Sequence, residues 1–151
     1  LVVLAIASFV YNRTLAPKTV DTALPAISNA VAVDDSQISQ AFKQKQSGIQ
    51  VQSRGVVSRI LADDNKGSRH QKFTVKLNPN KSVLVVHNID VCRRINGLKV
   101  GDLVEFYGVY QWNRFGGLVH WTHKPKVSDL HEHKAGWIKQ NGILYSLLNK
   151  T

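Results

Sequence analysis

The sequence predicts a mainly β fold. A five-stranded barrel carries a short helix between its third and fourth strands, with a helical and tether segment ahead of it and a hairpin behind. Three observations predict it. Residues 49–127 contain five short alternating or β-branched runs separated by turn chemistry. The stretch between the third and fourth runs can hold a short helical turn. A chain of 151 residues, 43% apolar, is long enough for one domain with a core and too apolar for full-length disorder. The single cysteine, Cys92, excludes an internal disulfide framework and a cysteine-rich zinc module. There is no methionine, initiator included, which reads as a trimmed product or a fragment.

Residues 1–16 open on LVVLAIASFV, apolar apart from Ser8, followed by Arg13. The run is shorter than the roughly 20 residues that span a bilayer and fits the apolar part of an export signal. It predicts a signal or membrane-anchor remnant, a periplasmic or secreted protein, and membrane contact through this segment only. Residues 17–48 begin as a tether of Ala, Thr, Ser, Val and Pro. Asp34-Asp35-Ser36 can cap a helix over Gln37–Gln46, with Ile38, Ala41 and Phe42 on one stripe and Gly48 as its end.

The barrel, 49–127, starts with a β-branched strand at Gln50–Leu61 that can bend at Gly55. Ala62–Ser68 (ADDNKGS) is turn chemistry. His70–Leu77 alternates, with Phe73, Val75 and Leu77 on the core face. Ser82–Ile89 is the third strand, Cys92–Leu98 the helical turn, and Leu103–Trp112 the fourth strand with Gly108 inside it. Leu118–His123 is the fifth, ended by Pro125. This order matches the oligonucleotide/oligosaccharide-binding (OB) barrel. In the extension, 128–151, Asn141-Gly142 between two apolar runs signals a hairpin, placed to cover an open barrel edge with Trp137 and Tyr145.

The strings DDNKGSRHQKF, VVHNIDVCRRINGLKVGDLVEFYGVYQWN, GGLVHWTHKP and AGWIKQNG, spread over about residues 50–145, resemble a bacterial family of small exported proteins of unknown function. The resemblance implies an OB-like barrel and an extracytoplasmic setting, and no activity. The barrel is more loosely similar to the core of thermonucleases. Their spacing of acidic and arginine residues is missing here, so no catalytic role carries over.

The formal net charge is +10, and residues 49–127 supply most of it, with 13 basic and 5 acidic residues. An excess of this kind suits a polyanionic partner. OB barrels bind on the face of strands two and three, between the first-to-second and fourth-to-fifth loops. Here those loops are Asp63–His70 and Trp112–Gly117, expected beside one concave face. They and the fifth strand offer Lys66, Arg69, Trp112, Arg114, Phe115 and Lys124 as nucleic-acid-binding residues. Cations follow a strand's backbone while rings stack on bases, each stack contributing about 1–3 kcal/mol.

The six histidines hold no strong metal spacing. His120 and His123 are three apart and point to opposite faces of a flat strand. His131 and His133 are two apart and share a face if extended. Strands meeting across a small barrel can still converge His70, His87, Asp90, His120 and His123 on a divalent ion able to activate water against a phosphodiester. Cys92, beside Arg93 and Arg94, reads as structural.

Three functions follow as expectations. The first is an exported OB module binding single-stranded DNA or RNA. The second is a metal-dependent, nuclease-like hydrolase using the His/Asp cluster. The third is an envelope interaction domain whose barrel contacts another protein or a glycan.

Overall fold

The computed structural model describes residues 36–126, 128 and 133–147. The expected export segment, the tether up to residue 35 and His131 lie outside the described residues. No helix among the described residues is long and apolar enough to cross a membrane.

One helix and seven strands follow in chain order: α1 (Ser36–Lys43), β1 (Ile49–Ile60), β2 (His70–Asn78), β3 (Lys81–Asn88), β4 (Leu103–Gln111), β5 (Leu118–His120), β6 (Trp137–Gln140) and β7 (Ile143–Tyr145). β1 pairs with β2, β2 with β3, β3 with β5 in parallel, β5 with β4, and β4 returns to β1, which closes the five-stranded barrel. That connectivity is the OB arrangement.

Alternation sets what faces inward. Phe73 and Val75 on β2, Val83 and Val85 on β3, and Val104 and Phe106 on β4 are buried, so the two phenylalanines are core residues. Their neighbours Lys72, Thr74 and Lys76 face outward from β2. β1 must serve two partners, and it turns between them at a bulge near Val57–Arg59. A Cβ on Gly55 would run into the carbonyl oxygen of Lys76, and one on Gly108 into that of His120. Both glycines are needed because backbones approach there, whereas the sequence reading expected them to let the strands bend.

α1 closes one end with Ile38 and Ala41, both buried. It ends earlier than Gln46, and not at Gly48. Lys45 takes the left-handed conformation, φ 54°. The Gln46 N–H then donates to the Ala41 carbonyl (2.9 Å) and the Lys45 N–H to that of Phe42 (3.2 Å), the paired bonds of a Schellman cap.

The helix expected between β3 and β4 is reduced to one turn, in which the Cys92 N–H donates to the Asn88 carbonyl (3.1 Å). The rest is held open by a side chain. Gln71 Nε2 donates to the Ile95 carbonyl (3.1 Å) and its Oε1 accepts the Ile95 N–H (3.0 Å). Both backbone groups of Ile95 are thereby withdrawn from any helical ladder. The hairpin is as expected: Asn141 and Gly142 both have positive φ, 50° and 77°, as a type I′ turn requires. β6 pairs with residues 104–107 of β4, beyond the reach of the short β5, and Trp137 stacks on Tyr107 at 6.3 Å. The hairpin covers the barrel edge left open there.

Candidate functional site

A depression of about 500 Å³ lies on the outward side of β2, β3 and β5. Asp64, Lys66 and His70 form one wall, Asn88 and Val86 the floor, and His120, Trp121, His123, Lys126 and His133 the other wall.

The first wall is fixed from behind. Asp64 and His70 exchange two backbone hydrogen bonds, each 2.9 Å, which closes the loop into a small ring with Lys66 on it. The Lys66 N–H donates to Asp64 Oδ1 (3.1 Å), and Lys72 Nζ lies 3.9 Å from that carboxylate. Two ion pairs tie the loop to the β3–β4 connector: Arg94 to Asp63, and Arg69 to Asp90. In the second, both the Arg69 N–H and its Nε donate to the Asp90 carboxylate at 2.7 Å. The backbone bond first, and then the guanidinium, hold the Asp90 carboxyl below the usual carboxylate range. Arg69 and Asp90, expected as a phosphate contact and a metal ligand, therefore bind each other and position the loop.

The opposite wall depends on one unusual residue. Trp121 has φ 51°, a left-handed value that bulky side chains rarely adopt. It ends β5 at His120, three residues before the expected boundary. The kink also rotates the chain, so that His120 and His123 line the same depression instead of opposite faces. Rings fill the corner: Trp121 stacks on His120 at 4.8 Å and on His133 at 4.7 Å, and His123 meets His133 edge-on at 5.2 Å. His123 and His133 each hydrogen-bond through Nδ1 to the next residue's carbonyl, at 2.7 and 2.8 Å. A ring nitrogen facing a carbonyl must carry the proton, which fixes these tautomers. Burial, reinforced by the neighbouring His133, His70 and His123, lowers the pKa of His120, so its imidazole stays neutral near pH 7.

His87 is not in the depression. It faces the interior, fully buried, with Nε2 donating to the Arg93 carbonyl (3.2 Å) and Nδ1 accepting from the Thr122 hydroxyl (2.8 Å). Burial pushes its pKa down to about 4. Both ring nitrogens are occupied, so His87 cannot serve as a ligand. Among the described residues no three His, Cys, Asp or Glu side chains stand where one metal ion would need them. The expected cluster is thus split into His70, His120 and His123 on the surface, His87 inside and Asp90 in an ion pair.

The second predicted loop lines a different depression, about 250 Å³, with Phe42, Lys81, Ser82, Arg114 and Phe115 around it. The two loops meet opposite ends of β3. His70 is in register with Asn88, whereas Gly116 packs against the carbonyl of Ser82. Asn113 Oδ1 accepts the N–H groups of Phe115 (2.8 Å) and Gly117 (3.1 Å), which orders the loop. Phe115 is nevertheless 80% exposed, with the Arg114 guanidinium 4.7 Å from its ring. Trp112 does not project from this loop. Its indole N–H donates to the Phe42 carbonyl (3.1 Å) and its ring packs on Phe42 and the core. Lys124 is exposed, on the segment that leads from the histidine wall to Lys126.

The sequence placed Lys126 among the cations next to the fifth strand and Trp121 among the aromatics near the loops, but did not bring His133 to the site, and the kink at Trp121 has no sequence signature. Comparison with curated proteins gives no match, and comparison with solved structures gives none. A family model described as protein of unknown function (DUF3465) matches residues 20–146, and the chain belongs to that family.

Proposed function

We propose that this barrel is an exported binding module for single-stranded nucleic acid, and that the histidine-lined depression is the centre of its interface. One observation carries the reading: Lys66, Lys126 and four imidazoles surround a cavity of about 500 Å³ on the very face where OB barrels hold ligands. Arg114 and the exposed Phe115, at the other end of β3, supply the cation and ring that a further base and phosphate would meet. The excess of basic residues in 49–127 adds long-range attraction for a polyanion. The apolar opening run supports an extracytoplasmic location. A metal-dependent hydrolase has no donor set to support it among the described residues.

The test is fluorescence anisotropy with labelled single-stranded DNA, RNA and duplex across a salt series. Neutralising about four phosphates gives a log–log slope near −3, at roughly −0.7 per contact on single strands. Lys66→Ala flattens that slope by somewhat under one unit. Phe115→Ala weakens binding and leaves the slope unchanged, because stacking releases few counterions. Negligible affinity for every nucleic acid at moderate salt would reject the reading.

A further inference from the structure

We propose that the depression also cleaves RNA without a metal ion, by general acid–base catalysis between His120 and His70. The inference rests on the nucleic-acid reading above and adds an activity to it.

The geometry comes from the sheet. His70 heads β2 and His120 ends β5, the two strands that flank β3. The side chains of His70 and His120 face outward into one cavity. In register, His70 lies beside Asn88, while the parallel pairs Leu84–Leu118 and Val85–Val119 bring His120 next to Val86. Two strand spacings, about 10 Å across the sheet, and an offset of two residues along β3, roughly 7 Å, put the histidine backbones about 12 Å apart. Imidazoles reaching inward from both sides leave room for one phosphodiester group between them. The rings are near enough for the charge of His70 to bear on His120.

The half-buried His120 imidazole is neutral near pH 7 and so available as a base. In the proposed step it takes the proton of an RNA 2′-hydroxyl as that oxygen attacks the adjacent phosphorus. The bond from phosphorus to the 5′-oxygen breaks, and protonated His70 donates a proton to the leaving oxygen. The products are a 2′,3′-cyclic phosphate and a 5′-hydroxyl end. One proton is taken and one given, nothing is oxidised, and no co-reactant is consumed. Lys66 and Lys126, on opposite walls, stand where they can offset the charge that builds on the non-bridging oxygens. DNA lacks the attacking hydroxyl and is bound intact.

The rate falls on the acid side as His120 gains a proton. The charged and titratable groups facing the pair are Asp64 and Lys66 from the first loop, Asp90 behind His70, His123 and Lys126 after β5, and His133 before β6.

The experiment incubates the full chain with an RNA oligonucleotide, its DNA counterpart and a 2′-O-methyl analogue. A chelator is present, and products are read by mass spectrometry while binding is read by anisotropy. The expected result is cleavage of RNA alone, leaving 2′,3′-cyclic phosphate ends. His120→Asn and His70→Asn should each lower the rate by 100-fold or more, with affinity for the 2′-O-methyl analogue changed only a few-fold and an unchanged melting curve. RNA that is bound yet stays whole overturns the proposal and leaves the binding reading standing. So does cleavage that needs a divalent ion, leaves 5′-phosphates or survives in His120→Asn. Absence of binding to all three oligonucleotides overturns both.

Discussion

His87 shows how one buried side chain makes stability depend on pH. Its folded pKa, down at about 4, lies below the ordinary 6.5, so the unfolded chain binds the extra proton between those values. Stability is therefore fully present above about pH 6.5 and is lost as pH falls towards 4. A displacement of that size corresponds to about 3 kcal/mol. Urea unfolding from pH 7 to pH 4 should show that loss, and His87→Gln should remove most of its pH dependence even if the variant is weaker at pH 7. The inward placement was legible: alternation along Ser82–Ile89 puts His87 on the face of Val83 and Val85. Counting histidines as potential ligands obscured that simpler pattern. The fate of Trp121 was not legible, because a left-handed φ at tryptophan is imposed by the packing around it, against its own local preference.

Among the elements, strands read well and connectors did not. β1, β2, β3 and β4 fall within a residue or so of their expected bounds, since period-two burial is written directly into side-chain order. The β3–β4 connector departs because its conformation is dictated by Gln71, on another strand, through two buried hydrogen bonds to Ile95. Gln71→Leu strands both backbone groups of Ile95 inside the protein, at about 1–3 kcal/mol each. Equilibrium denaturation should report a loss of about 3 kcal/mol, and hydrogen exchange should locate the loosening in residues 89–102. Helix α1 stopped short for a comparably local reason: the cap formed at Lys45, a residue with no special liking for that conformation. The site was half legible. Lys66, His70, His120 and His123 do line one depression, whereas Asp90 is bound by the exposed Arg69 and the Trp112 indole by the Phe42 carbonyl.

At the scale of the molecule, the barrel depends on its C-terminal hairpin. β6 is the partner of residues 104–107 of β4, and Ile138 is fully buried in the core. A chain truncated after residue 135 exposes that edge and leaves a void, so size-exclusion chromatography should show association or aggregation that the full chain does not undergo. Closure of the barrel itself joins distant parts of the chain: Ile49 lies opposite Tyr110 and Val56 opposite Leu103, and β5 must slot between β3 and β4. β2 has both neighbours once β3 is complete at Asn88, but β1 waits for β4 and β3 waits for β5, so the barrel closes only when the polypeptide is complete nearly to residue 120. Such non-local topologies fold in milliseconds to seconds, far more slowly than helical bundles. A nascent chain of this design therefore lingers unfolded, and a translocon that threads only unfolded polypeptide would find it still threadable. Stopped-flow refolding at neutral pH should return a main phase in that slow range.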